Sequence, residues 1–284
     1  MLAFTKYELE VKYMMMFLGK IIEILDFKMK EPELYGWFHM LSLILMVLVT
    51  IILCVCGKHS TRKQVIQIIF RTAILVGILE IYKQINYTFS YEGGEILADY
   101  AWYAFPWQFC SMPMYVGLFA GIFREGRIHK SLCAFLATYS TFAGICVMIY
   151  PASVFTETIG INIQTMVCHG SMVAIGIFLM FSGYVKLDHR TFLDAFPVFL
   201  IAVSIAMILN EVAYRSGLLI TDEFNMFFIS PYLDSTLPVY SWVHGSIAYP
   251  WSLIVYVAGF SLAAYLILLF AMVIYKCTRY FGGK

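Results

Sequence analysis

Hydrophobic positions in this chain come in long unbroken blocks, without the strict alternation of half-buried strands. Seven blocks stand out, at 37–56, 65–86, 105–123, 131–150, 161–182, 192–214 and 251–275. A helix needs roughly twenty apolar residues to cross a bilayer, whereas a barrel strand needs only about ten alternating ones. The pattern therefore predicts an all-α, polytopic membrane bundle of about seven transmembrane helices. Composition agrees: 61% of residues are hydrophobic and 13% charged, against about 25% charged in a soluble domain. A net charge of +1 offers no clustered basic face for nucleic acid, so none is expected as a partner.

Loop charges give an orientation. The loops after blocks one, three and five, with the C-terminal tail, carry Lys58, Arg62, Lys63, Arg124, Arg127, Lys130, Lys186, Arg190, Lys276, Arg279 and Lys284. The other loops carry Arg215 alone among Lys and Arg, with Glu92, Glu95, Asp99, Glu157, Asp222, Glu223 and Asp234. The positive-inside rule then puts the C-terminus in the cytoplasm and the N-terminus outside. Residues 1–36 form a tail with five lysines and six acids, and 37–284 form the membrane domain. The tail's stretch 14–27 is apolar with scattered charge, which suits a helix lying on the outer interface. The loop from 215 to 250 is long and aromatic (FNMFFISPY), and such a loop is expected to pack back on the bundle as a lid or re-entrant element.

Polar residues inside the blocks share one depth. His39 opens the first block. Glu80, Lys83, Gln84 and Asn86 close the second, and Gln108 and Cys110 open the third. Gln164, Cys168 and His169 open the fifth, and Asn210 and Glu211 close the sixth. With alternating chain direction, all of these fall in the outer half of the bilayer. Intramembrane ionisable groups are costly and point to function by default. The expectation is one polar chamber lined by His39, Glu80, Lys83, Gln84, Glu211 and Asn225. Plainer readings stand beside it. Glu80 and Lys83, three apart, can form a structural ion pair. Gln84, Gln164 and Asn210 can be interhelical hydrogen bonds, and each cysteine a small apolar filler.

Cys110 and His169 carry the candidate chemistry. His169 lies about eight residues into its block, roughly 12 Å deep at 1.5 Å per residue. Pro106 suits a first helical turn, and Pro113 inside the block predicts a kink at Cys110. A thiol near a helix N-terminus with an imidazole in reach is the arrangement of a cysteine nucleophile and its base. A Cys110–Cys168 disulfide is the rival. No loop holds a spaced cysteine or histidine pattern, so neither a metal nor another cofactor is expected.

The strings YGWFH (35–39), EIYKQ (80–84), WYAFPWQFCSMPMY (102–115), IGINIQTMVCHG (159–170) and FNMFFISPY (224–232) resemble the YwaF family of bacterial integral membrane proteins, over nearly the whole chain from about residue 30. That family is similar to the eukaryotic transmembrane protein 164 acyltransferase family, which remodels ether phospholipids through a catalytic cysteine and histidine. It looks more distantly like membrane hydrolases of lipid esters. The resemblance implies Cys110 as nucleophile and His169 as its base, membrane lipids as partners and a bacterial cytoplasmic membrane as location. In this group a second histidine often stands where this chain has Cys168.

The leading expectation is thus a lipid acyltransferase or lipid-ester hydrolase, with Gln108, Gln164 or Asn210 as oxyanion or polar support. A transporter or channel using Glu80, Lys83 and Glu211 is the alternative, although the inner halves of the blocks lack polar residues to complete a path. A non-catalytic lipid-binding protein is the third reading.

Overall fold

The computed structural model describes residues 2–151, 154–217 and 224–282. Asp222, Glu223 and Lys284 of the charge pattern lie outside the described residues. The chain is an all-α polytopic bundle. Among the described residues, six helices are long and apolar enough to cross a membrane. They are α2 (Trp37–Gly57), α3 (Arg62–Asn86), the α5–α6 rod (Gly126–Phe135 and Thr141–Ile149), α7 (Ile159–Phe181), α8 (His189–Ser216) and α10 (Trp251–Gly282). Helix α7 is the hub, covered by α2, α3 and α6. Helices α2 and α10 stand outermost and show most of their apolar surface to the surroundings. In water that exposure would be untenable, but in lipid it is the expected finish.

The expected third span, 105–123, is a different object. Only α4 (Met112–Ile122) is α-helical there, and 11 residues rise about 16 Å, half a bilayer. Pro113 does not kink a helix. It sits in the first turn of α4, where its missing amide proton costs nothing. The stretch before it holds two 3₁₀ turns, at Trp102–Ala104 and Phe109–Ser111. Helix α4 runs antiparallel to α3 with Met114 at Gly77, Gly117 at Ala73 and Gly121 at Phe70. A Cβ on Gly121 would come within 2.2 Å of the Phe70 ring, so glycine is what allows this close seam.

The α5–α6 rod contains a π turn at Leu136–Ser140, where Thr141 Oγ1 donates to the Leu136 carbonyl at 3.0 Å. The α5 half packs on α8 and the α6 half on α7. The basic loops gather at one end of the bundle, where Arg62 donates to the Arg124 carbonyl at 2.7 Å and Lys130 pairs with Asp194 at 2.6 Å.

At the opposite, acidic end, α1 (Leu2–Leu25) lies against a hairpin of β1 (Phe89–Glu92) and β2 (Glu95–Ala98). The hairpin turns through Gly93 and Gly94, both at positive φ, as a two-residue turn between twisted strands requires. No strand was expected there, although FSYE-GG-EILA carries the hairpin pattern. The tail after α1 is tied to this end. Met29 N–H donates to the Glu157 carbonyl at 2.7 Å, and Tyr82 Oη to the Leu25 carbonyl at 2.7 Å. In the long loop, residues 224–230 fold back into the core, with Met226, Phe227 and Ile229 fully buried.

Candidate functional site

The site grows out of the unwound stretch 101–111. Backbone outside a helix has unpaired carbonyls, which cannot be left bare inside a bilayer. Side chains of neighbouring helices supply the donors. Gln84 Nε2 donates to the Ala104 carbonyl at 2.9 Å, Tyr115 Oη to that of Pro106 at 2.8 Å and Cys168 Sγ to that of Cys110 at 3.6 Å. Trp107 Nε1 reaches across to the Ala202 carbonyl at 3.4 Å. Several polar residues that share one depth in the sequence therefore share one structural task.

A second set is directed at Glu80. Its carboxylate holds Lys83 Nζ at 2.8 Å, with the two side chains only 8% and 12% exposed, so this is a buried pair. Gln84 Nε2 donates to Oε1 at 2.8 Å and Gln164 Nε2 to Oε2 at 3.5 Å. Tyr100 Oη, a member that sequence reasoning missed, donates to Gln84 Oε1 at 2.6 Å. Lys83 lies close enough to act electrostatically on Cys110, Cys168 and His169 together. Two helices and a turn, α3, α7 and Phe109–Ser111, thus bring Glu80, Lys83, Gln84, Gln164, Cys110 and His169 into one neighbourhood.

His169 is buried, and its Nδ1 contacts the Thr165 carbonyl at 2.7 Å. A carbonyl only accepts, so Nδ1 carries the proton. In the neutral ring Nε2 is then the basic nitrogen, the tautomer a general base needs. Cys110 is half-buried in the 3₁₀ turn just before α4, so its thiol lies at that helix's N-terminus. No hydrogen bond joins Cys110 to His169 among the described residues. The side chain of α7 that meets Cys110 is Cys168, and it does so through the Cys110 carbonyl. All seven cysteines are free thiols, so the expected rival disulfide is not formed.

Five expected members are elsewhere. Gln108 does not support the thiol: it donates to the Asn225 carbonyl at 3.1 Å and accepts from Phe227 N–H at 3.1 Å. Asn210 clamps Met226 at both backbone groups, at 3.0 and 2.7 Å. Asn225 ties its own loop, accepting from Ser230 N–H at 2.9 Å. Together these amides hold Phe227 and Phe228 at positive φ, a costly backbone for bulky residues. Glu211 faces away from the chamber and pairs with Arg215 and Tyr232 at the surface. His39 is buried in a separate cluster beneath Tyr35 and Phe155, bonded to the Met148 carbonyl at 2.8 Å. Depth alone placed these two in the chamber, but helix phase turns them elsewhere.

Among the described residues, the Cys–His pair that touches is at the basic end. Cys133 Sγ lies 3.4 Å from His129 Nε2, one helical turn apart. Tyr184 Oη occupies the same nitrogen at 2.6 Å, and Nδ1 is held by the Ala120 carbonyl at 3.0 Å. Both ring nitrogens are spent inside the core, so this is a packed structural cluster. The Glu80 neighbourhood by contrast borders a groove between α3 and α4 that runs from Thr88 and Phe89 past Glu80, Gln84 and Pro106 down to Leu118.

No curated protein and no solved structure matches the chain. A family model does match it, that of the TMEM164 family, over residues 34–275, from just before α2 through nearly all of α10. This multi-pass membrane protein, with its unwound third span beside a buried Glu80–Lys83 pair, belongs to the TMEM164 family.

Proposed function

We propose that this chain is a membrane-embedded lipid acyltransferase or lipid-ester hydrolase with Cys110 as nucleophile and His169 as base. The observation that carries the reading is that Cys110, just before α4, and His169, on α7, both lie within electrostatic reach of the buried Lys83, next to a groove lined by Glu80 and Gln84. Family membership is compatible with it. Cys110 Sγ attacks the carbonyl carbon of a phospholipid acyl ester. The S–C bond forms, the ester C–O bond breaks, and the thiol proton passes by way of His169 Nε2 to the departing alcohol oxygen. An acceptor hydroxyl, or water in the hydrolase, then attacks the thioester and returns the thiol. Since sulfur and imidazole do not touch directly, the proton travels through a water or the substrate's own hydroxyl. Lys83 and the N-terminus of α4 supply positive charge where the oxyanion develops. The acidic end faces outward, so the ester comes from the outer leaflet. The resemblance to YwaF proteins makes the membrane a bacterial cytoplasmic one.

The test is labelling of the purified full chain by an alkyl-chain chloroacetamide. Cys110 should react faster than Cys133, Cys146 or Cys168, and His169→Ala should slow it. Cys110→Ala should abolish the fast phase. Equal rates at several cysteines would overturn the reading.

A further inference from the structure

A second groove lies in the other half of the bundle, between α4, α5 and α8, with a volume of about 460 Å³. Its α8 wall runs from Leu193 through Pro197 and Ile201 to Ile205, one continuous helical face. Twelve residues of α-helix rise about 18 Å. That matches the roughly 15 Å of hydrocarbon in a single leaflet, half of the 30 Å core. Trp107 and Tyr115 wall its deep end. Trp107 is held there by its bond to the Ala202 carbonyl at 3.4 Å and lies tilted against Tyr115, with ring centroids 5.2 Å apart. Tyr115 also lines the α3–α4 groove, so one side chain separates the two.

Its open end has a charge. Arg127 lines the mouth, is exposed, and makes no ion pair among the described residues. Lys130 beside it is matched to Asp194 at 2.6 Å. The other charged residue of the lining, Asp194, is thereby neutralised, so Arg127 leaves the mouth net positive. Apolar walls one leaflet long, with aromatic rings at the deep end and a cation at the mouth, are complementary to one kind of molecule.

We infer that this groove binds an anionic phospholipid of the basic-end leaflet, with an acyl chain along α8 and its phosphate on Arg127. A guanidinium fork suits phosphate oxygens. The site needs no catalytic thiol, and its occupant approaches from the leaflet opposite to the proposed ester substrate. It stands whether or not Cys110 reacts.

The full chain in nanodiscs would be crosslinked with phosphatidylglycerol and phosphatidylcholine carrying a diazirine on one acyl chain. Crosslinks to phosphatidylglycerol should concentrate on α4, α5 and the Leu193–Ile205 face of α8, in preference to α2 and α10. Ile201→Trp, which fills the groove from an exposed position, should remove them. Ile208→Trp, on exposed α8 surface outside the groove, should not. Arg127→Gln should lower the preference for phosphatidylglycerol roughly tenfold, the worth of one charge-assisted contact. Crosslinks spread evenly around α2 and α10, or unchanged by Ile201→Trp, would overturn the inference in favour of ordinary annular lipid. Displacement by soluble glycerol 3-phosphate alone would overturn it in favour of a free anion.

Discussion

Cys168 Sγ lies 3.6 Å from the carbonyl oxygen of Cys110, and this contact fastens the hub helix α7 to the turn that presents the candidate nucleophile. The residue next to it, His169, is thereby held to the same level. Replacing Cys168 by alanine removes a weak donor and little volume. We expect Cys168→Ala to keep labelling at Cys110 within about threefold and to cost less than about 1 kcal/mol of stability. Rates of electrophile capture and thermal unfolding measure both. Loss of all labelling in this variant would make Cys168 the nucleophile.

Lys83 neutralises a carboxylate with almost no access to solvent. Lys83→Leu should therefore destabilise the protein by about 3–5 kcal/mol, the usual cost of orphaning a buried charge. The double variant Glu80→Leu/Lys83→Leu should recover most of that loss. Unfolding in detergent is the measurement, and an unchanged midpoint in Lys83→Leu would mean that the pair is not buried in the folded protein.

Asn210 satisfies both backbone groups of Met226, next to two left-handed phenylalanines. Asn210→Leu should cost about 1–2 kcal/mol, since intramembrane hydrogen bonds average near 0.6 kcal/mol each. The loss should be local. Hydrogen exchange at 224–230 should accelerate while α7 stays protected, whereas equal acceleration in both would assign Asn210 to global stability.

Asp26 anchors the tail through Lys28 at 2.8 Å, Thr158 Oγ1 at 2.9 Å and Asn86 at 3.4 Å. Burial pushes its carboxyl up, but those partners outweigh it and hold the group below the usual carboxylate range. A depressed folded value stabilises the anchored state above the unfolded value, near 3.9, and that contribution is lost as pH falls through the folded value. Proteolysis of α1 should therefore accelerate below about pH 4. Asp26→Asn should be cleaved readily at neutral pH and show no such transition.

The charge pattern makes a topological prediction. With the native exposed thiols Cys56, Cys146 and Cys277 replaced, a cysteine placed at Lys58 should react with an impermeant maleimide only from the cytoplasmic side. One placed at Glu92 should react only from outside. The reverse result would turn the acidic end, and with it the Glu80 neighbourhood, toward the cytoplasm.

Much of the architecture was legible because it follows from length. Six blocks are long apolar helices, since runs of this length without alternation satisfy their backbone in lipid only as helices. The third block misled because composition does not reveal backbone. Residues 105–123 read as one apolar block, yet the helix begins only at Met112, with Pro113 in its first turn. The shared depth of the polar residues was visible, but their partners were not. Gln84, Gln108 and Asn210 look alike in sequence, and which carbonyl each one faces depends on two irregular segments whose course is set by packing. Glu211 and His39 were at the expected depth but on other faces, and a few residues of uncertainty in a helix boundary are enough to lose the phase.

The π turn at Leu136–Ser140 has a consequence for how this chain tolerates change in length. One surplus residue in a helix advances every later side chain by about 100°. That offset lets a single rod show α8 one flank in its first half and α7 another in its second. Deleting Thr138 would restore a regular helix and leave both halves hydrophobic, yet one of them would meet its neighbour with the wrong side. The rod works as a coupling between two layers cut to different phases, and its tolerance for insertions and deletions is narrower than its greasy composition implies.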